Sequence, residues 1–177
     1  MYIRNPAILD SVIKYLAENG LYHEGESEIE QVARYVFRQL AEGLLYLHEE
    51  IRIIHRDIKL DNILFSSKDM RVKVTDFTVS RADITEKTRL FDSEGTPAFT
   101  APECHIVEEK GYLPKPTDMW SFGVSLHAYV CGIVPFYSAG GELEMQINSR
   151  TKALELPKTL SPALADLLTR LLTKDPT

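Results

Sequence analysis

The sequence predicts a mainly α fold with a small β component, on three observations. Apolar residues recur at helical spacing in two long stretches: Ile29, Val32, Ala33, Val36, Phe37, Leu40, Leu44 and Leu47, then Leu164, Leu167, Leu168, Leu171 and Leu172. Between them, Trp120, Phe122, Val124, Leu126 and Val130 occupy a segment apolar nearly all round, which marks a central helix. The strand-like runs are short: Ile63-Leu64-Phe65 and Val72-Lys73-Val74 flank polar Ser66-Ser67-Lys68-Asp69, as in a small hairpin. With 44% hydrophobic and 26% charged residues in 177, the chain suits one globular unit with a sizeable core.

The elements follow in order. Asn5-Pro6 to Asn19-Gly20 predicts a short helix with Pro6 in its first turn, a stripe of Leu9, Val12, Ile13 and Leu16, and Gly20 as its stop. Ser27-Glu28-Ile29-Glu30 is a capping box that opens the longer second helix. His48 falls at its end, where a histidine serves as a structural cap. Residues 81–99 are polar and lack periodicity, so they read as a long ordered loop. Gly132 ends the central helix, residues 141–147 suit a short one, and Ser161-Pro162 caps the last. The final leucine stripe spans about one heptad, too little for a dimerisation zipper, and reads as core.

Composition excludes several roles. A net charge of −6 without a basic tract argues against a nucleic-acid surface as the main role. Cys104 and Cys131 lie 27 residues apart with no C-x-x-C pattern, as reduced packing residues do in a cytosolic or nuclear protein. Cys104-His105 alone is too few ligands for a metal site. No apolar run approaches the roughly 18 residues of a membrane span, and Met1-Tyr2-Ile3-Arg4-Asn5-Pro6 is no signal peptide.

Chemistry concentrates in His55-Arg56-Asp57-Ile58-Lys59-Leu60-Asp61-Asn62. Asp57 offers a carboxylate able to take the proton of an attacking hydroxyl. Lys59 is a cation suited to neutralising phosphate charge, and Asn62 supplies a neutral oxygen of the kind Mg²⁺ accepts. Asp76 follows the predicted hairpin and Asn62 precedes it, so both side chains can reach one ion.

This run is similar to the H-R-D-L-x-x-x-N element of protein kinases, with Ile58 in place of leucine. Three further segments resemble kinase motifs in the same order: Asp76-Phe77, residues 95–103 ending Ala101-Pro102-Glu103, and Asp118-Met119-Trp120-Ser121-Phe122-Gly123. The resemblance implies the helical carboxy-terminal lobe of the protein kinase fold, with small β-hairpins at the catalytic edge and residues 1–177 forming a partial kinase domain. It implies ATP and Mg²⁺ as cofactors and a protein substrate. Asp57 becomes the catalytic base, Lys59 the phosphate-stabilising and ATP-contacting cation, Thr96 the residue that positions the base, and Arg56 a contact to the activation loop. Asn62 and Asp76 become the metal ligands, and Asp118 the buried anchor of the catalytic-loop backbone. Lys59 with Gly95-Thr96-Pro97 points to serine/threonine specificity. Gly95-Thr96-Pro97-Ala98-Phe99 and Ala153-Leu154-Glu155-Leu156-Pro157 look most like the calcium/calmodulin-dependent protein kinase kinases. That likeness makes another kinase a candidate substrate and implies calmodulin-type regulation outside this chain.

Three departures set further expectations. Thr78 replaces the usual glycine, so either the turn keeps an ordinary conformation or Asp76 is misplaced. No G-x-G-x-x-G turn and no V-A-I-K lysine occur. The amino-terminal β-lobe is thus expected to be missing and the domain inactive alone, with a non-catalytic pseudokinase module as the alternative. Asp92 stands where many kinases carry a phosphothreonine, with Arg56 and Arg81 as its expected basic partners.

Overall fold

Asn5 opens the first helix by accepting the Ala7 amide on its side chain, and Pro6 takes the first helical position (α1, Pro6–Glu18). Ser27 likewise caps α2 (Glu28–Tyr46), accepting the Glu30 amide. The computed structural model describes residues 5–106 and 109–175; residues 1–4 of the segment read above as no signal peptide, and the last two residues, lie outside that range. Ile8, Val12 and Leu16 of α1 share one core with Val32, Val36, Phe37 and Leu40 of α2. Leu9 and Ile13, expected in the α1 stripe, only flank this core.

Beyond α2 the chain widens into a π-turn, Leu47–Ile51, and leaves it through Arg52 in the left-handed region at φ 60°. A single hairpin follows. Its strands, β1 (Ile63–Ser66) and β2 (Arg71–Val74), pair antiparallel with Ile63 opposite Val74 and Ser66 opposite Arg71. Two isolated bridges, Ile54 with Arg81 and Leu90 with Tyr112, complete the β structure among the described residues. The polar stretch 81–99 is held as an ordered loop because Ile84 and Leu90 bury themselves in a second core with Tyr112, Trp120 and Val124.

The central helix is α3 (Pro114–Cys131), closed by Gly132 at φ 76°. Trp120, Phe122, Val124 and Leu126 are buried as predicted, and the helix separates the two cores. Its serines are satisfied: Ser121 donates to Thr117 O and Phe99 O, and Ser125 to Ser121 O and Ile58 O. The next helix, α4 (Glu142–Thr151), runs past the predicted end because tertiary contacts hold it: Asn148 is buried and donates to Phe136 O at 3.3 Å. Ser161 caps α5 (Pro162–Leu171), whose leucines are only partly core. Leu168 and Leu172 are buried, but Leu167 is 43% exposed beside a groove of about 390 Å³ between α2, α3 and α5.

Helices α3 and α5 meet at Gly123. A Cβ there would stand 2.8 Å from Leu171 Cβ and 3.1 Å from Leu172 Cδ2, so the helices must part to admit one. Gly123→Ala is therefore expected to cost about 1–3 kcal/mol of stability, read from denaturant unfolding. An unchanged midpoint would show that α5 slides away freely.

Candidate active site

Asp118 organises the site from beneath. Its carboxylate is fully buried on α3 and accepts the His55 amide on Oδ2 and the Arg56 amide on Oδ1, each at 2.8 Å. His48 Nε2 also reaches Oδ2 at 2.8 Å. These bonds shape the loop entering Asp57, including Arg56 at φ 71°. His55 ties the loop to its neighbour: Nδ1 accepts the Asp57 amide at 3.2 Å, and Nε2 donates to Thr75 O at 3.0 Å. Ser80 adds a hydroxyl to His55 O.

Three side chains converge on Asp57. Thr96 donates its hydroxyl to Asp57 Oδ1 at 2.7 Å, and Lys59 Nζ donates to Thr96 Oγ1 at 2.7 Å. Lys59 Nζ also lies 2.8 Å from Asp57 Oδ2. Asn62 donates its amide to Asp57 O at 2.9 Å and to Oδ2 at 3.0 Å. Burial works to raise the Asp57 carboxyl, but the hydrogen bonds from Lys59, Thr96 and Asn62 and the Lys59 charge outweigh it, holding it below the usual carboxylate range.

Asp76 stands on the exposed turn after β2 at φ 63°. Thr78 hydrogen-bonds its Oδ1 through both the hydroxyl, at 2.5 Å, and the amide, at 3.3 Å. The Thr78 hydroxyl is the leading cause of a lowered Asp76 carboxyl. The left-handed residue of this turn is Asp76, and Thr78 is not in that region, so the turn does not ask of the threonine the angles that a glycine would reach. Phe77 stacks edge-on against His55, ring centroids 4.8 Å apart.

The protein kinase domain model matches residues 9–177. The chain belongs to the protein kinase domain family. It is 39% identical over 149 residues to serine/threonine-protein kinase GRIK2 of Arabidopsis thaliana and 40% identical over 148 to GRIK1 of the same plant. Against RAC-beta serine/threonine-protein kinase B of Xenopus laevis the identity is 36% over 149 residues. Each alignment covers 83% of this chain but 35%, 36% and 29% of the relative respectively, so the chain spans about a third of the length of the curated relatives it matches.

In this kinase domain the structure brings Asp57, Lys59, Thr96 and Asn62 together as one bonded group, with Asp76 near enough for Asp57 and Lys59 to act on its charge. Arg56 points elsewhere, placing Nη2 2.8 Å from Asp92 Oδ1. Arg81 engages through its backbone, bridging to Ile54, and its side chain is exposed. Cys104 is buried and free, its thiol pushed up to about 12 by burial, which suits the packing role expected of it. Two contributors were not foreseen. Gly95, at φ 103°, lies so close on the loop entering Asp57 that a Cβ would overlap Arg56 O. His48 is the other, a buried partner of Asp118 rather than a cap of its own helix.

The lowered Asp57 carboxyl has a signed consequence. Its contribution to stability is present above the ordinary carboxylate value of about 3.9 and is lost as pH falls through the lower folded value. The melting-temperature gap between native protein and Asp57→Asn should therefore be flat from neutrality to about pH 4 and shrink only below it. A gap that already changes between pH 5 and 7 would contradict this.

Proposed function

We propose that this kinase domain transfers the ATP γ-phosphoryl group to a serine or threonine hydroxyl of a protein. The observation that carries the reading is the Asp57 carboxylate with Lys59 Nζ 2.8 Å away, both bonded to Thr96, with Asn62 holding Asp57 from the other side. An anionic acceptor beside a fixed ammonium is the pair needed to orient a hydroxyl and neutralise the phosphate it attacks. Because its carboxyl is held low, Asp57 is a weak base. It aligns the hydroxyl first and takes the proton late, once bonding to phosphorus has made that proton acidic. A largely dissociative transfer needs no stronger base.

The oxygen set suits Mg²⁺. With its NH₂ committed to Asp57, Asn62 keeps its carbonyl oxygen for a hard cation, and exposed Asp76 offers the oxygen that Thr78 does not bond. Bound Mg·ATP supplies the transferable phosphoryl group with its charge neutralised by the metal. Asn62 and Asp76 would hold the metal, and Lys59 would meet the phosphate. Thr96, on the segment that faces the incoming peptide in this reading, fixes Lys59 and Asp57 relative to each other. Serine/threonine preference is supported by the Lys59–Thr96 bond and by the names of the relatives. The likeness to calcium/calmodulin-dependent protein kinase kinases rests on residues 95–99 and 153–157 and supports another kinase as a candidate substrate, with calmodulin-type control outside these residues. No helix among the described residues is long and apolar enough to cross a membrane.

The test is ATP-dependent phosphorylation of a serine- or threonine-bearing protein. The 177 residues include no glycine-rich phosphate cover, so we expect little transfer from them alone and clear transfer once they are joined to a kinase amino-terminal lobe. A joined protein that binds Mg·ATP but transfers nothing would favour a pseudokinase module.

Control of this site follows from Asp92. Arg56 is nearly buried and its Nη2 meets the Asp92 carboxylate, though no hydrogen bond from that nitrogen is aligned. A carboxylate carries one charge where a phosphate carries about two, so it is a weaker but permanent latch. The joined kinase should need no activation-loop phosphorylation, and Asp92→Ala should slow it up to about fivefold, the scale of an exposed pair worth about 1 kcal/mol. If phosphatase silences the enzyme while Asp92→Ala is harmless, a phosphorylated neighbour such as Ser93 or Thr88 is the switch instead.

A further inference from the structure

Holding Asp92 against Arg56 is more than their ion pair can do alone. The Asp92 side chain is 48% exposed, and an exposed pair shifts an equilibrium by about fivefold at most. Further up the same loop Lys115 of α3 donates to Glu86 at 2.6 Å, but Glu86 is 84% exposed and that pair is no stronger. Residues 90–92 are seated from elsewhere.

Tyr112, just before α3, makes three hydrogen bonds to them. Its amide donates to Leu90 O and its carbonyl accepts the Leu90 amide, each at 3.0 Å, and its hydroxyl donates to Asp92 O at 2.5 Å. The ring has no room to swing away, being 7% exposed in the second core with Leu90, Cys104 and Trp120. Burial also pushes the phenol up, so the hydroxyl keeps its proton for Asp92 O. Gly111, at φ 61°, permits the close approach: a Cβ there would stand 2.6 Å from Leu90 O and 2.9 Å from the Phe91 ring. The backbone bridge fixes Leu90 alone. It is the hydroxyl that reaches past exposed Phe91 to residue 92, whose carboxylate stands 2.8 Å from Arg56 Nη2.

We infer that Tyr112 is a positioning residue: its hydroxyl seats the Asp92 backbone so that the Asp92 carboxylate meets Arg56, the neighbour of Asp57. The effect on transfer rests on the phosphoryl-transfer reading and on Asp92 as its latch; the seating of residues 90–92 does not.

Tyr112→Phe removes the hydroxyl and leaves the ring and the backbone bridge. On the 177-residue chain, limited chymotrypsin cleavage after Phe91, which is 55% exposed, reads how often the loop lifts. Tyr112→Phe should be cut there about fivefold faster, the scale of one hydrogen bond, while Tyr46, 57% exposed on α2, stays uncut. Cleavage after Phe91 at the native rate overturns the inference, as does equal acceleration at Tyr46, the mark of general unfolding. If Tyr112→Phe fails to fold, Gly111→Ala decides. Its Cβ must push residues 90 and 91 away, so faster cleavage after Phe91 supports the seating and unchanged cleavage overturns it. In the joined kinase, Tyr112→Phe should lower kcat up to about fivefold, as Asp92→Ala does, with KM for Mg·ATP unchanged. The double variant should be no slower than the slower single one, because both break one linkage. Losses that multiply overturn the inference, since Tyr112 would then act on something other than Asp92, and so does a native rate for Tyr112→Phe. No transfer from the native joined protein would sink the phosphoryl-transfer reading and leave the cleavage result standing.

Discussion

Asp57→Asn should lower phosphoryl transfer by the joined kinase by about 10²–10⁴-fold, the usual worth of a positioned general base. The substitution keeps the size of the side chain and its place beside Asn62 but removes the charge that Lys59 and Thr96 are arranged around. Binding of Mg·ATP should survive, because Asn62 and Asp76 are the groups proposed to hold the metal. The measurement is kcat together with the nucleotide-induced rise in melting temperature. Transfer that persists within tenfold of the native rate would show that Lys59 and the metal ligands carry the reaction without a base.

Asp118→Ala should have the largest effect on stability, about 3–5 kcal/mol in denaturant unfolding, as expected when one partner of a buried charged network is removed. Three donors would be stranded in a dry interior: the His55 and Arg56 amides and His48 Nε2. Such a loss is a large share of the roughly 5–15 kcal/mol that holds a typical domain folded. Asp118→Asn keeps one acceptor oxygen and should fall between alanine and native. A cost below about 1 kcal/mol for alanine would mean that water enters and satisfies the loop.

Legibility in the sequence followed how locally each function is encoded. Asp57, Lys59 and Asn62 lie in one short run, so their chemistry and spacing were readable together, and the structure bonds them directly. Asp76 was readable from the likeness of Asp76-Phe77 to the kinase metal-binding turn, and its place after a predicted hairpin paired it with Asn62 at the other end. His48 was not, since its partner is 70 residues away and a lone histidine after a helix carries no sign of it. Thr78 raised the question of strain at the wrong position: the left-handed angle falls on Asp76, and the threonine hydroxyl instead bonds the carboxylate. The end of α4 was missed because buried Asn148 and Ser149 leave no apolar stripe to follow. Leu167 shows the converse, since helical spacing finds a stripe but not which edge a neighbour covers.

The anchoring of the loop by α3 also fixes an order of events during synthesis. Residues 55–62 leave the ribosome long before Asp118, which follows His55 by 63 residues, and Ser125 follows Ile58 by 67. At about 5–20 residues per second the segment waits several seconds for the carboxylate that shapes it. Throughout that interval α1, α2 and the hairpin can associate through local contacts, while Arg56 has nothing to hold it at a positive φ. A nascent chain stalled before Asp118 should therefore be partly folded and protease-resistant through α2, yet cleavable at residues 55–62.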